Sequence, residues 1–316
     1  MENYIPPYTI SNQIINIIAN ISSLLTEISF TNKEASNPKL RRENRVKTIQ
    51  ASLAIENNTL SLDQVTDIIN GKRILGEPKE ICEVKNAFEA YELLLTLNQY
   101  SIKDLLYIHG ILMKELTNEA GTFRSGSVGI FAGETLVHMA PPPSQVPNLM
   151  INLFHWLKST KDIHPLIKSC VFHYEFEFIH PFSVVNGRMG RMWQTLLLYN
   201  WNPIFGWLPI ETLIKERQDE YYKILGECDK AADSGKFIEF ILNAIYETLL
   251  EIGKNDHVTE HVIDQVERLI TAIGNDTLTA NEIMIKLNLK HRDTFRKNYL
   301  LPSINEGFIE MTIPDK

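Results

Sequence analysis

The chain has 316 residues, 44% of them hydrophobic and 22% charged, with a formal net charge of −8 and a pI near 5.6. That composition excludes a disordered chain, and the acidic balance argues against a protein dominated by nucleic-acid or anionic-membrane binding. The length admits about two domains. Cys82, Cys170 and Cys228 lie far apart with no CxxC pair, which suits a reducing compartment. The N-terminal apolar stretch is broken by Asn16, Asn20, Ser22 and Ser23 and has no basic leader, so the expectation is a cytoplasmic protein without a membrane partner.

Apolar positions at helical spacing, from Ile14 and Ile17 to Leu24 and Leu25, predict an amphipathic helix within 10–30. The basic patch Lys39 to Arg45 reads as a solvated helix face. Thr48 to Asn57 predicts a helix end, with Ser52 and Glu56 four apart on one face and Asn57 suited to a C-cap. A short helix Asp63 to Asn70 closed by Gly71 follows, then Glu80 to Leu97, then Ile102 to Leu116 with Ser101 as N-cap. His109 in the last of these reads as a packed histidine rather than a catalyst. From Gly121 to His138 glycines punctuate β-prone runs, and Gly133-Glu134 makes a turn between them, which predicts a β-hairpin. Pro141-Pro142-Pro143 breaks regular structure before a helix over Val146 to Lys158.

The run opened by His164-Pro165 and ending at Ile179 is apolar nearly all round, the mark of a buried central helix, with His173 a satisfied core histidine. Pro181 biases His180 out of the helical region. A helix restarts near Asn186, where Gly187 permits close backbone approach and the free N–H groups of a helix start attract an anion. Arg188 and Arg191, three apart, project from one side of it. A histidine facing an anion site backed by two arginines points to phosphoryl or nucleotidyl chemistry; a capped helix with two solvated arginines is the plain alternative. Helices over Glu211 to Ala232 and Phe237 to Ile252 come next. His257 and His261 have a zinc-compatible spacing but no third ligand pattern, so no metal is expected there. Helix Val262 to Ile273, a second near Leu278 to Leu287, a third over His291 to Asn305 and a strand from Gly307 to Ile313 complete the chain. Residues 256–316 carry seven Lys or Arg against ten Asp or Glu, a poor footprint for DNA. Despite the local cluster Lys290, His291, Arg292, Arg296 and Lys297, a protein-contact or structural role is expected of this module.

The stretch 180–191 resembles the signature of the Fic (Fido-domain) family, His-Pro-Phe-x-Asp/Glu-Gly-Asn-Gly-Arg-x-x-Arg. The match is carried by His180, Pro181, Phe182, Asn186, Gly187, Arg188 and Arg191, and it departs at Val184, where the family has an acid, and Val185, where it has glycine. Ser52 to Asn57 resembles the family's inhibitory motif, Ser/Thr-x-x-x-Glu-Gly/Asn. The hairpin resembles the family's flap, in which Val128, Gly129 and Ile130 would hold a target segment by strand addition. The C-terminal helix-turn-helix and strand resemble a winged-helix module.

The resemblance implies a mainly α Fic-type helical bundle with a small β-hairpin flap, plus a small C-terminal winged-helix-like domain. Residues 1–100 would be an N-terminal helical region carrying the inhibitory helix, 101–253 the Fic core and 256–316 the module. It further implies transfer of AMP from ATP to a Ser, Thr or Tyr hydroxyl of a target protein. His180 would be the catalytic base, Asn186 and Gly187 would cradle the α-phosphate, and Arg188 and Arg191 would neutralise the β- and γ-phosphates. Glu56 would occupy Arg191 at rest. Val184 removes the acid that binds Mg²⁺ in the family, which leaves the Mg²⁺ requirement open, since hard cations need oxygen ligands. Losing one such electrostatic element costs on the order of 10²–10³-fold in rate. Val185 resists the positive φ of glycine, so the anion-binding loop is expected to be reshaped. An impaired adenylyltransferase leads; a catalytically inactive nucleotide-binding regulator acting through the C-terminal module and an enzyme that removes AMP are the alternatives. The oligomeric state stays open, a homodimer included.

Overall fold

A segment with no polar face to turn toward water must lie at the centre of its bundle, and Pro165–Ile179 does so. In this computed structural model, which describes residues 4–31, 38–132, 135–274, 277–289, 291–305 and 309, the chain divides into two units, Met1–Leu249 and Leu250–Lys316. The first unit begins with α1 (Asn12–Thr31), α2 (Pro38–Ile55), α3 (Leu62–Ile69), α4 (Pro78–Leu94) and α5 (Ile102–Leu112). A hairpin of β1 (Gly129–Ala132) and β2 (Thr135–Met139) separates these from α6 (Val146–Ser159), α7 (Pro165–Ile179), α8 (Asn186–Trp201), α9 (Ile210–Glu216) and α10 (Gln218–Ala231). The helix α11 (Gly235–Ile273) comes next.

Local chemistry sets the helix ends. Ser61 and Gln64 form a capping box on α3, and Gly71 follows its end at φ +78°, satisfying N–H groups that a helix start leaves orphaned. The Ser101 hydroxyl accepts from the Asp104 N–H at the start of α5. Pro165 stands in the first turn of α7, where the His164 ring accepts from the Leu166 N–H, the position at which a missing proline N–H is harmless.

The core sits where α7 packs on α8. Phe172 and Phe176 of α7 and Met189, Trp193 and Leu196 of α8 are fully buried. The Phe154 ring of α6 meets Phe172 edge-on at 5.5 Å and Trp193 at 5.9 Å. Each such side chain contributes roughly 1.5–3 kcal/mol by burial. This seam holds the α7–α8 loop between two elements that cannot shift without opening the core.

The hairpin is antiparallel, pairing Gly129 with Met139 and Ala132 with Thr135, with a bulge between Ile130 and Phe131. Its expected turn, Gly133-Glu134, lies outside the described residues. Three expectations need correction. Arg45 is not on a solvated face; it is buried, donates to the Tyr91 carbonyl and stacks 5.1 Å from the Trp207 ring, because a flat guanidinium packs on aromatics as well as it hydrates. The single helix over 211–232 breaks at Arg217 (φ −113°), where the guanidinium donates to Glu247. The helices over 237–252 and 262–273 are parts of α11, since Gly253 without a following stop signal costs a helix only about 1 kcal/mol.

In the second unit α12 (Ala280–Lys286) precedes a final helix that runs from Arg292–Phe295 through a π turn, Arg296–Leu300, into Leu301–Asn305. Leu269, Ile283, Leu287, Phe295 and Tyr299 form its own core. Most of the expected strand 307–313 lies outside the described residues. The architecture is a mainly α helical bundle with a hairpin and a small C-terminal unit. No helix among the described residues is long and apolar enough to cross a membrane.

Candidate active site

His180 caps α7 in the left-handed region (φ 50°, ψ 60°), its N–H donating to the Phe176 carbonyl at 2.9 Å. Its Nδ1 lies 3.3 Å from the Glu177 carbonyl oxygen. The loop that follows is closed by two reciprocal bonds of 2.8 Å: the Phe182 N–H donates to Asn186 Oδ1, and Asn186 Nδ2 donates to the Phe182 carbonyl. The Asn186 side chain shapes the loop by these bonds, and beside it open the first N–H groups of α8, which have no intrahelical acceptor.

Val185 stands at φ 63°, ψ 23°. The loop is therefore not reshaped by the branched side chain; it keeps the left-handed geometry, and Val185 carries strain of roughly 1–2 kcal/mol. The bonds of Asn186 and the packing of Phe182 over-determine the loop and hold that strain. Val184 is 47% exposed and offers no side-chain oxygen. Among the described residues no group of three or more His, Cys, Asp or Glu side chains is placed to hold a metal. The side chains present do not fit a divalent ion at position 184. His257 and His261 have side chains outside the described set.

The loop is braced from behind by residues whose roles the sequence does not announce. The buried Phe182 ring stacks on His109, centroids 3.7 Å apart and planes within 5°. His109 Nδ1 accepts from the Gly121 N–H at 3.0 Å, and burial pulls its pKa down to about 4, so it packs as a neutral ring. Arg124, almost fully buried, donates from Nε to the His180 carbonyl (2.7 Å), from Nη1 to Gly126 (2.8 Å) and from Nη2 to Pro141 (2.5 Å). Its own N–H donates to the Pro181 carbonyl at 3.0 Å. One side chain thus ties the motif loop to both ends of the hairpin. Sequence reasoning missed it, because its partners are backbone carbonyls far along the chain; a lone arginine between glycines and serines was the only sign.

Arg188 and Arg191 are each 2% exposed. Arg191 donates from Nε to Ser52 Oγ (3.2 Å) and from Nη2 to the Ser52 carbonyl (3.1 Å) and Glu56 Oε1 (2.9 Å). The other oxygen of Glu56 lies 3.4 Å from Arg188 Nη2, and Glu83 Oε2 of α4 lies 3.7 Å from the same atom. A single carboxylate therefore bridges both arginines, with a second acid behind Arg188 that the motif does not contain. Burial by itself lowers the Arg191 pKa, but Glu56 together with Tyr221, Glu177 and Tyr222 more than reverses this and holds the group charged. A Cβ on Gly187 would lie 2.8 Å from Glu56 Oε1 and 2.9 Å from Arg191 Nη1, so a side chain there would push against this ion pair.

Arg188 Nε and Nη1 and Arg191 Nη1 are buried without an acceptor among the described residues. Leaving such donors unmet costs about 1–3 kcal/mol each, more for charged groups. Phosphate oxygens match their fork geometry. His173 is not part of this demand. It bonds Gln194 Oε1 at 2.8 Å and the Tyr221 hydroxyl at 3.2 Å, and burial, aided by Arg191, lowers its pKa to about 3.

His180, Gly187, Arg191 and Glu56 open on a cleft of about 990 Å³, which Val128 and Gly129 border at the hairpin and Tyr174, Tyr222 and Asp229 line from α7 and α10. The side chain of Ile130 lies outside the described set. The arrangement can seat a polyanion between a helix start and two arginines, beside an imidazole and a strand edge, once Glu56 yields.

Comparison with known proteins bears on this geometry. Residues 99–198 match the Fic/DOC family, and residues 264–316 match "Filamentation induced by cAMP protein Fic-like, C-terminal domain". The crystal structure of a Fic family protein from Desulfovibrio desulfuricans G20 is 52% identical, with a TM-score of 0.79, covering 99% of this chain and 95% of that one. Fic-1 from C. elegans, 23% identical with a TM-score of 0.65, shares the fold over 78% of this chain and 73% of its own. A probable protein adenylyltransferase of Aquifex aeolicus is 28% identical over 262 residues, 78% of this chain and 76% of the relative. Protein adenylyltransferase Fic of Drosophila mojavensis is 29% identical over 227 residues, 68% of this chain but 43% of the relative. The chain thus spans less than half the length of such insect relatives.

Proposed function

The chain belongs to the Fic family, and from that premise we propose that it is a protein adenylyltransferase held at rest by Glu56. Its substrates are ATP and a target protein bearing a Ser, Thr or Tyr hydroxyl. The observation that carries this reading is the Glu56 carboxylate spanning Arg191 at 2.9 Å and Arg188 at 3.4 Å, because it occupies the two cations a triphosphate needs.

The chemistry is a displacement at phosphorus. The Nδ1–H of His180 donates to the Glu177 carbonyl oxygen, which puts the basic lone pair on Nε2. That nitrogen takes the proton of the target hydroxyl as its oxygen bonds to the α-phosphorus. The bond from the α-phosphorus to the bridging oxygen breaks, and pyrophosphate leaves with the electron pair. The N–H groups at the start of α8 stabilise charge on the α-phosphate, and Arg188 and Arg191 stabilise it on the departing pyrophosphate. Val128 and Gly129 offer a strand edge on which an extended target segment is held beside His180. With Glu56 in place, the terminal phosphate meets a carboxylate where it needs a cation, and the α-phosphorus is misaligned for attack.

The test is auto-labelling from ATP carrying label at the α-phosphate, with Mg²⁺ or Mn²⁺. Glu56→Gly is expected to label strongly, the wild type weakly, and the double variant with His180→Ala not at all. Absence of label in Glu56→Gly, with ATP affinity retained by calorimetry, would sink the enzyme reading and favour a nucleotide-binding regulator.

A further inference from the structure

The acidic charge of residues 256–316 counts against nucleic acid only when it is averaged over the module. Residues 277–305 hold five Lys or Arg and two Asp or Glu; the other eight acids fall outside that segment. The segment is folded as two helices joined by a turn. The first, α12, is capped by Thr279 and Glu282, and Asn288 turns the chain at φ 55°. The helix of residues 292–305 then begins.

Phe295 and Tyr299, four apart, face the small core with Leu269, Ile283 and Leu287. The rest of the first two turns faces outward: Arg292, Asp293, Thr294, Arg296, Lys297 and Asn298 are all exposed, three cations around one acid. Arg292 and Arg296, four apart, share one flank of the helix, and Thr294 and Asn298, also four apart, share the opposite flank. The π turn begins at Arg296, a local widening of the helix that often marks functional positions. Among the described residues, neither Arg292, Arg296 nor Lys297 has an ion-pair partner, whereas Lys286 is tied to the Ala272 carbonyl. Among the described residues, three cations are thus without an ion-pair partner on the exposed start of the second of two helices joined by a turn.

We propose that this face binds double-stranded DNA, with the helix of residues 292–305 in the major groove and Arg292, Arg296 and Lys297 on phosphates. The second helix of such a pair enters the groove by its N-terminal residues, and the groove is wide enough to admit it. Thr294 and Asn298, exposed on the opposite flank, carry hydrogen-bonding groups of the kind that meet base edges. The proposal does not depend on adenylyl transfer.

The experiment uses the full chain and a fluorescein-labelled duplex of about 24 base pairs, read by anisotropy. Binding in the micromolar range is expected at about 50 mM salt, and three phosphate contacts predict roughly 40-fold weaker binding at about 200 mM. The triple variant Arg292→Ala, Arg296→Ala and Lys297→Ala should bind at least about tenfold more weakly at low salt. Its circular-dichroism melt should match the wild type, because the three side chains are exposed. The labelled single strand should bind more weakly than the duplex. Three results would each overturn the proposal: no binding at low salt up to about 100 μM protein, equal binding by the triple variant, or a single strand held as tightly as the duplex.

Discussion

Replacing Val185 with glycine tests whether the motif loop stores strain. Val185 sits at φ 63°, ψ 23°, where an L-residue pays about 1–2 kcal/mol. Glycine removes that penalty and loses roughly 0.5–1 kcal/mol through the greater freedom of its unfolded chain. Val185 is only partly buried, so little packing is sacrificed, and the net expectation is a gain of about 0.5–1 kcal/mol. For a unit of this size such a gain raises the melting temperature by roughly 1–4 °C. Trp156, Trp193, Trp201 and Trp207 are the chain's four tryptophans and all lie in the first unit, so intrinsic fluorescence follows that unit's unfolding specifically. Val185→Ala serves as the control: it keeps a Cβ in the left-handed region and should show no gain. A Val185→Gly variant that melts at or below the wild type would refute the strain.

Other outcomes follow from the same geometry. Glu83→Gln should leave Arg188 with Glu56 alone and raise auto-labelling to a level between wild type and Glu56→Gly; labelling equal to wild type would remove Glu83 from the brake. Arg124→Ala deletes the side-chain bonds to the His180, Gly126 and Pro141 carbonyls and should destabilise the first unit by about 2–4 kcal/mol, with labelling by the Glu56→Gly background falling as the loop loosens. Val184→Asp in that background supplies the missing oxygen donor and should make labelling steeply Mg²⁺-dependent and faster, by up to about 10²–10³-fold; an unchanged Mg²⁺ response would show that position 184 does not meet the metal. Glu175, which accepts from the Tyr4 hydroxyl, has its pKa raised by burial from 4.5 to about 7. The folded state therefore holds a proton that the unfolded state releases between those values, and stability is lost as pH rises through that window. Glu175→Gln should be more stable than wild type at pH 8, by roughly 3–4 kcal/mol at most, and the advantage should vanish near pH 4.5.

Much of the site is legible in the sequence. His180, Gly187, Arg188 and Arg191 are local in sequence, and the rules that end one helix and start another act over a few residues. Ser52 and Glu56 were readable as a motif for the same reason. What could not be read was which distant groups meet them. Arg124 was invisible because its acceptors are carbonyls of His180, Gly126 and Pro141, and backbone acceptors leave no mark in the residue types. Glu83 was invisible because a glutamate on α4 looks like any solvated helix acid until folding sets it 3.7 Å from Arg188. The two valines divide the same way. The sequence by itself determined that position 184 lacks a metal-binding oxygen, a matter of side-chain chemistry. Only the tertiary structure decided that Val185 keeps a left-handed backbone, because the Asn186 bonds and the Phe182–His109 stack together outweigh the local preference of a branched residue.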